Sequence, residues 1–543
     1  MSDGTGTFAT SPSNLTAEPS GKRRLAEFLM LALFVSVAAV LRFYDLSLRG
    51  FIYWDEAKFA LEGIRLQALL AGDLGLRVSP FLGKTVGTAK PTSALLYAAG
   101  DAVFGDHDWS VLYINAAASV IQIPVVYILG RRLFGPVTGL LAALLLAVSE
   151  YEVVYARSGL TESDGSLLLL AAVTLYAWRC LNSGRASVVL LPSVILGLAF
   201  TANYRLIVYV AALALFDLIR RERSDGLSSV WRAAFVWGLG FVAFPLLWQF
   251  ADIFARHAGV VLFRSEMSGR PMWYWQQVLY QIHQGKQSRV EFEPQLYVEW
   301  FVTRQGLWSL LLLLAGIIAA LGRRSREILL VAALVVIPWA VYTFAPFVVP
   351  RNLEAAMPYV SLLEAAGLVM IVSAFGRLKI PALLAAALIL SAVGFGMTWR
   401  LTAIRSGFAA AASYINAHAD GRAITSTEVL VYYLRGEGRS CNAPTLPTTR
   451  AALARDRAAG YRYVVLDHHW KTLGAYISHH ARLTAAYLAE GRVTLGESLI
   501  ASENTHAPDA TQNPEVVRVF AISSLSLPKA DRRDVVCNRN RAT

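Results

Sequence analysis

Charged side chains are scarce in this chain. Aspartate, glutamate, lysine and arginine make up 16% of its 543 residues, whereas soluble domains carry about a quarter. Hydrophobic residues make up 55% of the chain and fall in long runs. This balance argues against a series of soluble domains, which the length alone would allow, and favours a bundle of membrane helices.

Several common motifs are also missing. We find no internal repeat, no nucleotide-binding motif, and no small-residue cleavage site after the first apolar run, residues 25–43. That run follows a basic cluster at residues 22–24 and is longer than the core of a usual signal peptide, so we interpret it as an uncleaved first span. Residues 1–24 are predicted to form a disordered cytoplasmic terminus, because their first twenty positions are rich in Ser, Thr, Gly and Pro.

Cysteine is rare, with three residues in all. Cys180 is predicted to lie near the cytoplasmic end of a span and to be inert. Cys441 and Cys537 both fall in the outer C-terminal region, where an oxidising compartment permits a disulfide. The sequence leaves that pairing open, because it does not give the distance between the two residues. Asp467-His468-His469 lacks the spacing of a zinc site, and we interpret it as a loop at the end of a strand.

The apolar runs predict the number and direction of the membrane spans. A helix needs about 20 mostly apolar residues to cross a bilayer. We predict eleven spans, at residues 25–43, 110–130, 136–154, 165–181, 187–203, 204–219, 231–250, 306–321, 328–348, 355–375 and 379–398. Lys and Arg cluster in alternate connections, which predicts a cytoplasmic N-terminus and a C-terminus outside the cytoplasm. The same pattern accounts for the net charge of +12 without nucleic-acid binding.

The connections on the outer side differ from those on the cytoplasmic side. Residues 44–109 and 251–305 form long outer loops, and long loops often carry function. Thr92–Phe104 is apolar but too short to span, so we predict an interfacial or re-entrant helix. Residues 25–399 therefore form the transmembrane domain. Residues 400–543 contain strand-like runs at Ala423–Thr427, Tyr461–Asp467 and Val516–Ile522 and helical patterns near Gly407–His418, Arg450–Ala459 and His479–Glu490. This predicts an α/β domain outside the cytoplasm and a mainly α fold overall.

Charged and amide residues recur at the predicted outer membrane face. Under the predicted topology they all lie at one level, and they are Asp55, Glu56, Lys90, Arg157, Glu162, Asp164, Asn203, Arg205 and Arg351. Ionisable groups beside spans are costly and often functional, although an acidic pair at the start of a loop is by itself commonly a solvated surface feature. The carboxylates can accept a proton, and the Lys and Arg side chains can bind a phosphate. Such a set suits transfer from a lipid-linked phosphate donor.

These residues stand in motifs that resemble a known family. They are Asp55-Glu56-Ala57 in the first outer loop, Lys90-Pro91 before a short helix, Arg131-Arg132-Leu133-Phe134-Gly135 after the next span, Arg157 with Glu162 five residues later, and Pro350-Arg351 in a late outer loop. In this order they resemble the GT-C membrane glycosyltransferases over residues 25–375. The branch is that of the bacterial aminoarabinose transferases and protein mannosyltransferases, glycosyltransferase family 39.

The chain departs from the family pattern at two places. Thr92 follows the Lys-Pro step, where the family often has Pro or Ile. Thr201-Ala202-Asn203-Tyr204-Arg205 stands where the aminoarabinose branch often has Thr-Lys-Gly, and Arg205 is a candidate for the missing charge. These departures put aminoarabinose in doubt as the substrate.

The resemblance implies a reaction and a set of roles. The donor would be a sugar on a polyprenyl phosphate, and the acceptor a lipid, glycan or protein at the outer face of a bacterial inner membrane. Asp55 and Glu56 would be the catalytic residues, with Asp55 as the base, and Lys90, Arg205 and Arg351 would hold the donor phosphate. Arg157, Glu162, Asp164 and Asn203 are further site candidates. No cofactor is predicted, and a divalent metal stays open.

Two other functions share some of these features. A transporter or flippase for lipid-linked sugars would also have many spans and cationic groups, but transporters often show paired repeats and binding sites at mid-membrane. A membrane scaffold would use the C-terminal domain to bind a partner and would leave the ordered charged motifs unexplained. The sequence favours the transferase because its charged groups lie at one face.

Overall fold

The computed structural model describes most of the helical part of the chain and part of the C-terminal region. The described residues are 21–52, 54–72, 89–105, 107–263, 270–287, 294–323, 325–344, 350–418, 423–425, 428–434, 450–466, 500–504, 515–521 and 523. The N-terminal segment 1–20, Cys441, Cys537 and the Asp467-His468-His469 sequence lie outside these residues, and so does a helix predicted over His479–Glu490.

The described residues between 21 and 399 form a bundle of α-helices. In chain order they are α1 (Gly21–Phe43), α2 (Trp54–Leu70), α3 (Pro91–Phe104), α4 (Asp108–Phe134), α5 (Pro136–Ala147), α6 (Glu150–Ala156), α7 (Glu162–Arg179), α8 (Leu190–Ala202), α9 (Ile207–Asp225), α10 (Leu227–His257), α11 (Tyr274–Gln287), α12 (Leu296–Gln305), α13 (Leu307–Arg323), α14 (Arg326–Phe344), α15 (Met357–Ser373) and α16 (Lys379–Trp399). Short 3-10 turns cover Leu46–Leu48, Ala186–Val189, Tyr204–Leu206, Pro350–Ala356, Gly376–Leu378 and Arg400–Ala403.

The helices agree with the predicted membrane bundle. A helix lies at each of the eleven predicted ranges, since even the run 187–203 is covered by a 3-10 turn and α8. By length and apolar composition, six segments of the described chain are able to span a membrane, or up to eight if each of two bent helix pairs counts as one span. The bent pairs are α5 with α6, at 56°, and α12 with α13, at 113°. The count of eleven spans stays a prediction.

Glycine and proline set the sharp turn between α4 and α5. Gly135 ends α4 with a φ of +94°, a conformation that side chains disfavour, and Pro136 begins α5 at the position where a missing N–H costs nothing. The two helices then pack closely: a Cβ added to Gly139 would lie 2.7 Å from the backbone nitrogen of Arg131. This turn carries the Arg-Leu-Phe-Gly motif, which therefore has a structural explanation.

The described residues beyond 400 form a small mixed sheet with helices. The strands are β1 (Ala423–Thr425), β2 (Tyr463–Leu466), β3 (Ile500–Asn504) and β4 (Glu515–Ala521), in the order β1-β2-β4-β3. β1 and β2 are parallel, and β4 is antiparallel to both of its neighbours. The helices here are α17 (Gly407–Ala417), α18 (Glu428–Tyr433) and α19 (Arg450–Ala458). β1, β2, β4, α17 and α19 lie where the sequence predicts them, whereas β3 and α18 were not predicted.

The predicted interfacial helix is α3. It begins at Pro91, directly after Lys90, and packs against α2, α4 and α8. Pro91, Thr92, Ser93 and Ala94 in its first turn are all buried. Because α3 is held on three sides, the start of this helix and Lys90 are set in a defined position.

Candidate active site

Asp55 and Arg351 form an ion pair across nearly three hundred residues of chain. Asp55 lies in the first turn of α2, where a carboxylate is stabilised by the helix dipole. Arg351 lies in the 3-10 turn that precedes α15. Its Nη2 is 2.6 Å from Oδ2 of Asp55, and the two side chains are 16% and 24% exposed respectively. The pair is therefore partly accessible to a substrate.

Glu162 joins this pair to two further cations. It is buried in the first turn of α7, and its Oε1 lies 3.3 Å from Nη1 of Arg205, 3.9 Å from Nε of Arg351 and 4.0 Å from Nζ of Lys90. Three cations from three separate segments thus converge on one carboxylate oxygen. We call Asp55, Lys90, Glu162, Arg205 and Arg351 the outer charge cluster; four of its members are the base and phosphate ligands predicted from the sequence.

Lys90 is the most enclosed cation of the cluster. Its ammonium lies 4.5 Å from the ring centroid of Phe59 on α2 and donates a hydrogen bond to the hydroxyl of Thr161. Burial lowers the pKa of Lys90 to about 8, although the nearby carboxylate of Glu162 partly offsets that effect. A bound anion would therefore meet a point charge in a water-poor site, where electrostatic attraction is strong.

The charge on Asp55 is set by its cationic neighbours. Burial would raise its pKa, but Arg351, Lys58 and Lys90 outweigh that effect, and the pKa of this carboxyl is held well below its usual range. Asp55 is therefore ionised at neutral pH and has the protonation state that a general base requires. While it stays paired with Arg351 it is also a weak base, because its affinity for a proton is low.

The backbone around Arg205 is held by two neighbours. Asn203 accepts a hydrogen bond from the backbone N–H of Arg205 at 3.2 Å and caps the 3-10 turn that carries it. Tyr342 donates its hydroxyl proton to the carbonyl of Arg205. Asn203, a predicted site candidate, thus acts on the cluster through Arg205.

Glu56 points its oxygens into the connection that precedes α2. Its Oε1 lies 2.8 Å from Nη2 of Arg49 and accepts the N–H of Gly159 at 3.0 Å, while its Oε2 accepts the N–H of Ile52 at 2.6 Å. The side chain is fully buried. These contacts hold the start of α2 in place beside Asp55.

Arg157 and Asp164 lie near the cluster but bind other groups. Nη1 of Arg157 donates to the carbonyls of Leu41, Arg42 and Tyr44 at 2.9–3.2 Å and so closes the end of α1. Asp164 accepts the hydroxyl of Ser93 at 2.5 Å and the N–H of its neighbour Gly165 at 2.8 Å. Arg157 thus anchors the helix before α2, and Asp164 anchors the start of α3, directly after Lys90.

Two residues that complete the site were not predicted. Arg49 neutralises Glu56, and Phe59 packs against the ammonium of Lys90. The second has a signal in the sequence, because Phe59 follows Asp55 by four positions on α2 and such residues lie on one helix face. Within the described ranges, no three or more His, Cys, Asp or Glu side chains form a group that could hold a metal ion.

The low pKa of Lys90 predicts an alkaline limit to donor use. If Lys90 binds the phosphate of a donor, as the sequence predicts, kcat/KM for that donor should fall as the pH rises through about 8, because the neutral amine no longer attracts an anion. Replacing Lys90 with Arg should flatten this limb, since a guanidinium keeps its proton over that range. The measurement is a pH profile of both enzymes; a limb that persists in the Arg variant would belong to a different group.

Comparison with known proteins supports the family resemblance. Residues 88–248 match the family model described as dolichyl-phosphate-mannose-protein mannosyltransferase. This range includes Lys90, Glu162 and Arg205, whereas Asp55 and Arg351 lie outside it. Among curated proteins, no sequence matches the chain.

Solved structures share the fold. ArnT from Cupriavidus metallidurans in the apo state is 14% identical, with a TM-score of 0.60 over 93% of this chain and 100% of that one. The same protein bound to undecaprenyl phosphate is 14% identical, with a TM-score of 0.59 over 90% of this chain and 97% of that one. The Archaeoglobus fulgidus oligosaccharyltransferase in its apo form is 12% identical, with a TM-score of 0.56 over 86% of this chain and 73% of that one. The predicted resemblance is confirmed by the family-model match over residues 88–248 and, for the fold, by these structures.

Proposed function

We propose that this chain transfers one sugar from a polyprenyl-phosphate carrier to an acceptor at the outer face of the bacterial inner membrane, with inversion of the anomeric carbon. The observation that carries the proposal is the outer charge cluster, in which Lys90, Arg205 and Arg351 converge on Glu162 while Arg351 also contacts Asp55. The structural neighbour that binds undecaprenyl phosphate supports a donor of this class.

The cations suit the charge changes of such a transfer. A sugar on a polyprenyl phosphate is a phosphodiester with one negative charge, and the departing carrier phosphate gains a second. Fixed cations that attract the product phosphate more strongly than the donor lower the barrier, and preorganised charges of this kind are often the largest catalytic effect. Two arginine forks and one ammonium provide that charge next to an ionised carboxylate.

Asp55 completes the reaction as a general base. The acceptor hydroxyl oxygen attacks the anomeric carbon and forms the new glycosidic bond, while the bond from that carbon to the phosphate oxygen breaks and its electron pair leaves with the carrier. Asp55 takes the hydroxyl proton during the attack. A single displacement of this kind inverts the anomeric carbon.

The donor itself would make Asp55 a better base. In the described state Arg351 pairs with Asp55, which holds the pKa of the carboxyl low. A donor phosphate that enters the cluster would share the guanidinium of Arg351 and weaken its hold on Asp55. The pKa of Asp55 would then rise, because the effect of burial is less completely offset. Binding of the donor before the acceptor follows from this competition.

The placement at the outer face is supported by the C-terminal region. Tyr433 on α18 and Ser406 just before α17 both contact Phe51, four residues before Asp55. The site and the C-terminal α/β unit therefore lie on the same side of the bundle. We propose that both face the periplasm, with the N-terminus in the cytoplasm, as the basic alternate connections predict.

The test is a comparison of cells with and without this protein. Mass spectrometry of lipid carriers and envelope glycans should find one sugar-loaded polyprenyl phosphate that accumulates in the deleted cells and one sugar missing from the envelope. The wild-type chain should restore both, and the Asp55→Asn chain should restore neither. Unchanged carriers and glycans in the deleted cells would contradict the proposal.

A further inference from the structure

The connection between α1 and α2 is tied to the C-terminal region at Phe51. The backbone N–H of Phe51 donates to the hydroxyl of Tyr433 at 2.8 Å, and its carbonyl accepts the hydroxyl of Ser406 at 2.5 Å. The ring of Phe51 packs against that of Tyr432, with centroids 4.8 Å apart. Both backbone polar groups of one buried residue are thus bonded to side chains more than 350 positions away.

The hydroxyl of Tyr433 makes two hydrogen bonds with fixed directions. It accepts from Phe51 and donates to Oδ2 of Asp108, at 2.6 Å, in the first turn of α4. Burial raises the pKa of Tyr433, and the charge of Asp108 adds to that effect, so the hydroxyl stays protonated as a donor. Tyr433 therefore connects three parts of the molecule: the C-terminal region, the start of α4 and the connection before α2.

Ser406 and Tyr433 approach the backbone closely at Gly50, which has no side chain. A Cβ added to Gly50 would lie 2.7 Å from Cβ of Ser406 and 2.8 Å from the hydroxyl oxygen of Tyr433, and its φ is +69°. The adjacent residues Arg49 and Ile52 link this part of the backbone to the first turn of α2. Arg49 binds Glu56, and the N–H of Ile52 donates to the same carboxylate. A displacement of Phe51 is therefore passed to the first turn of α2, where Asp55 meets Arg351.

From this arrangement we infer that Tyr433 is a positioning residue for Asp55. It holds Phe51, and Phe51 with Glu56 sets the position at which the base faces the donor site. The inference rests on the proposed function, in which Asp55 takes the acceptor proton. It also gives the C-terminal region a role in the reaction: one of its side chains completes the support of the catalytic turn.

The effect of Tyr433→Phe follows from what the change removes. The N–H of Phe51 loses its acceptor and Asp108 loses a donor, while the ring that packs beside Phe51 is kept. A misplacement of about 1 Å can cost about a hundred-fold in rate, so we expect kcat to fall by roughly 10- to 100-fold. The donor Kd should stay within about twofold, because Lys90, Arg205 and Glu162 are held by other contacts.

The experiment measures kcat, both KM values and donor Kd for the purified full-length chain in nanodiscs. Tyr414→Phe is the matched control, because it removes a hydroxyl from the same region, where its ring contacts His418 and Tyr463 instead of Phe51. Ser406→Ala, which removes the second bond to Phe51, should lower kcat in the same direction. Thermal unfolding identifies any variant that fails to fold.

A double variant separates positioning from structural support. If Tyr433 acts through Asp55, Tyr433→Phe should add little to the loss already caused by Asp55→Asn, because residues that act as a unit are not additive. Full additivity would overturn the inference, and so would normal turnover by a folded Tyr433→Phe chain. A wild-type chain without transfer activity would instead contradict the proposed function, so the two failures are distinguishable.

Discussion

Replacing Asp55 with Asn should lower kcat by about a hundred- to ten-thousand-fold, the range that loss of a general base commonly causes. Asparagine keeps the size and one oxygen of the side chain but cannot take a proton from the acceptor. Donor affinity should be unchanged or tighter, because the change removes a negative charge next to Arg351 and leaves its guanidinium to the phosphate. The measurements are turnover with a polyprenyl-phosphate sugar and donor Kd, both on folded protein.

Glu56→Gln is the matched comparison, since the two carboxylates are adjacent in sequence. Glu56 is buried against Arg49, and loss of one partner of a buried ion pair commonly costs about 3–5 kcal/mol of stability. We therefore expect Glu56→Gln to lower the melting temperature and to change kcat per folded molecule much less than Asp55→Asn does. If Asp55 only stabilised the first turn of α2, the Asn variant would be nearly silent. Near-normal turnover would move the base to Glu162 or Asp164.

The parts of the fold that the sequence predicts well are those governed by local hydrophobicity. Long apolar runs placed a helix at each of the eleven predicted ranges, and short strand-like runs placed β1, β2 and β4. β3 was missed because Ile500–Asn504, Ile-Ala-Ser-Glu-Asn, is mostly polar. It lies at the edge of the sheet with β4 as its one partner among the described strands, and edge strands need little apolar character.

The sequence predicts the membrane level of the site residues but not the orientation of their side chains. The predicted topology puts the candidate residues at one membrane face, and in the structure ion pairs bring together Asp55, Lys90, Glu162, Arg205 and Arg351. Topology cannot tell which way a side chain points around its helix. For that reason the sequence did not indicate that Glu162 is the common partner of three cations, or that Arg157 turns to the end of α1. Those directions depend on how the helices pack.

Replacing Arg351 with Ala should affect both the binding of the donor phosphate and the proposed base, Asp55. Arg351 pairs with both Asp55 and Glu162, so its loss removes a proposed phosphate ligand and the partner of the proposed base. Loss of one preorganised donor to a developing anion commonly costs about a hundred- to a thousand-fold in kcat. We expect a loss of this size with weaker donor binding and a nearly unchanged KM for the acceptor. Arg351→Lys should recover part of the activity, because the charge returns without the bidentate fork.

The pH dependence of the Arg351→Ala variant separates this role from a simple loss of charge. Without Arg351 the effect of burial on Asp55 is less completely offset, so the pKa of Asp55 should rise. Because a general base works only when ionised, the acidic limb of the kcat/KM profile should move to higher pH if Asp55 is that base. Arg256→Ala is the control, since Arg256 pairs with Asp252 at 2.6 Å outside the cluster, and it should leave the limb unchanged. If the Arg351→Ala variant keeps its donor affinity and its acidic limb, the phosphate is held by Lys90 and Arg205 alone, and the low pKa of Asp55 arises from Lys58 and Lys90.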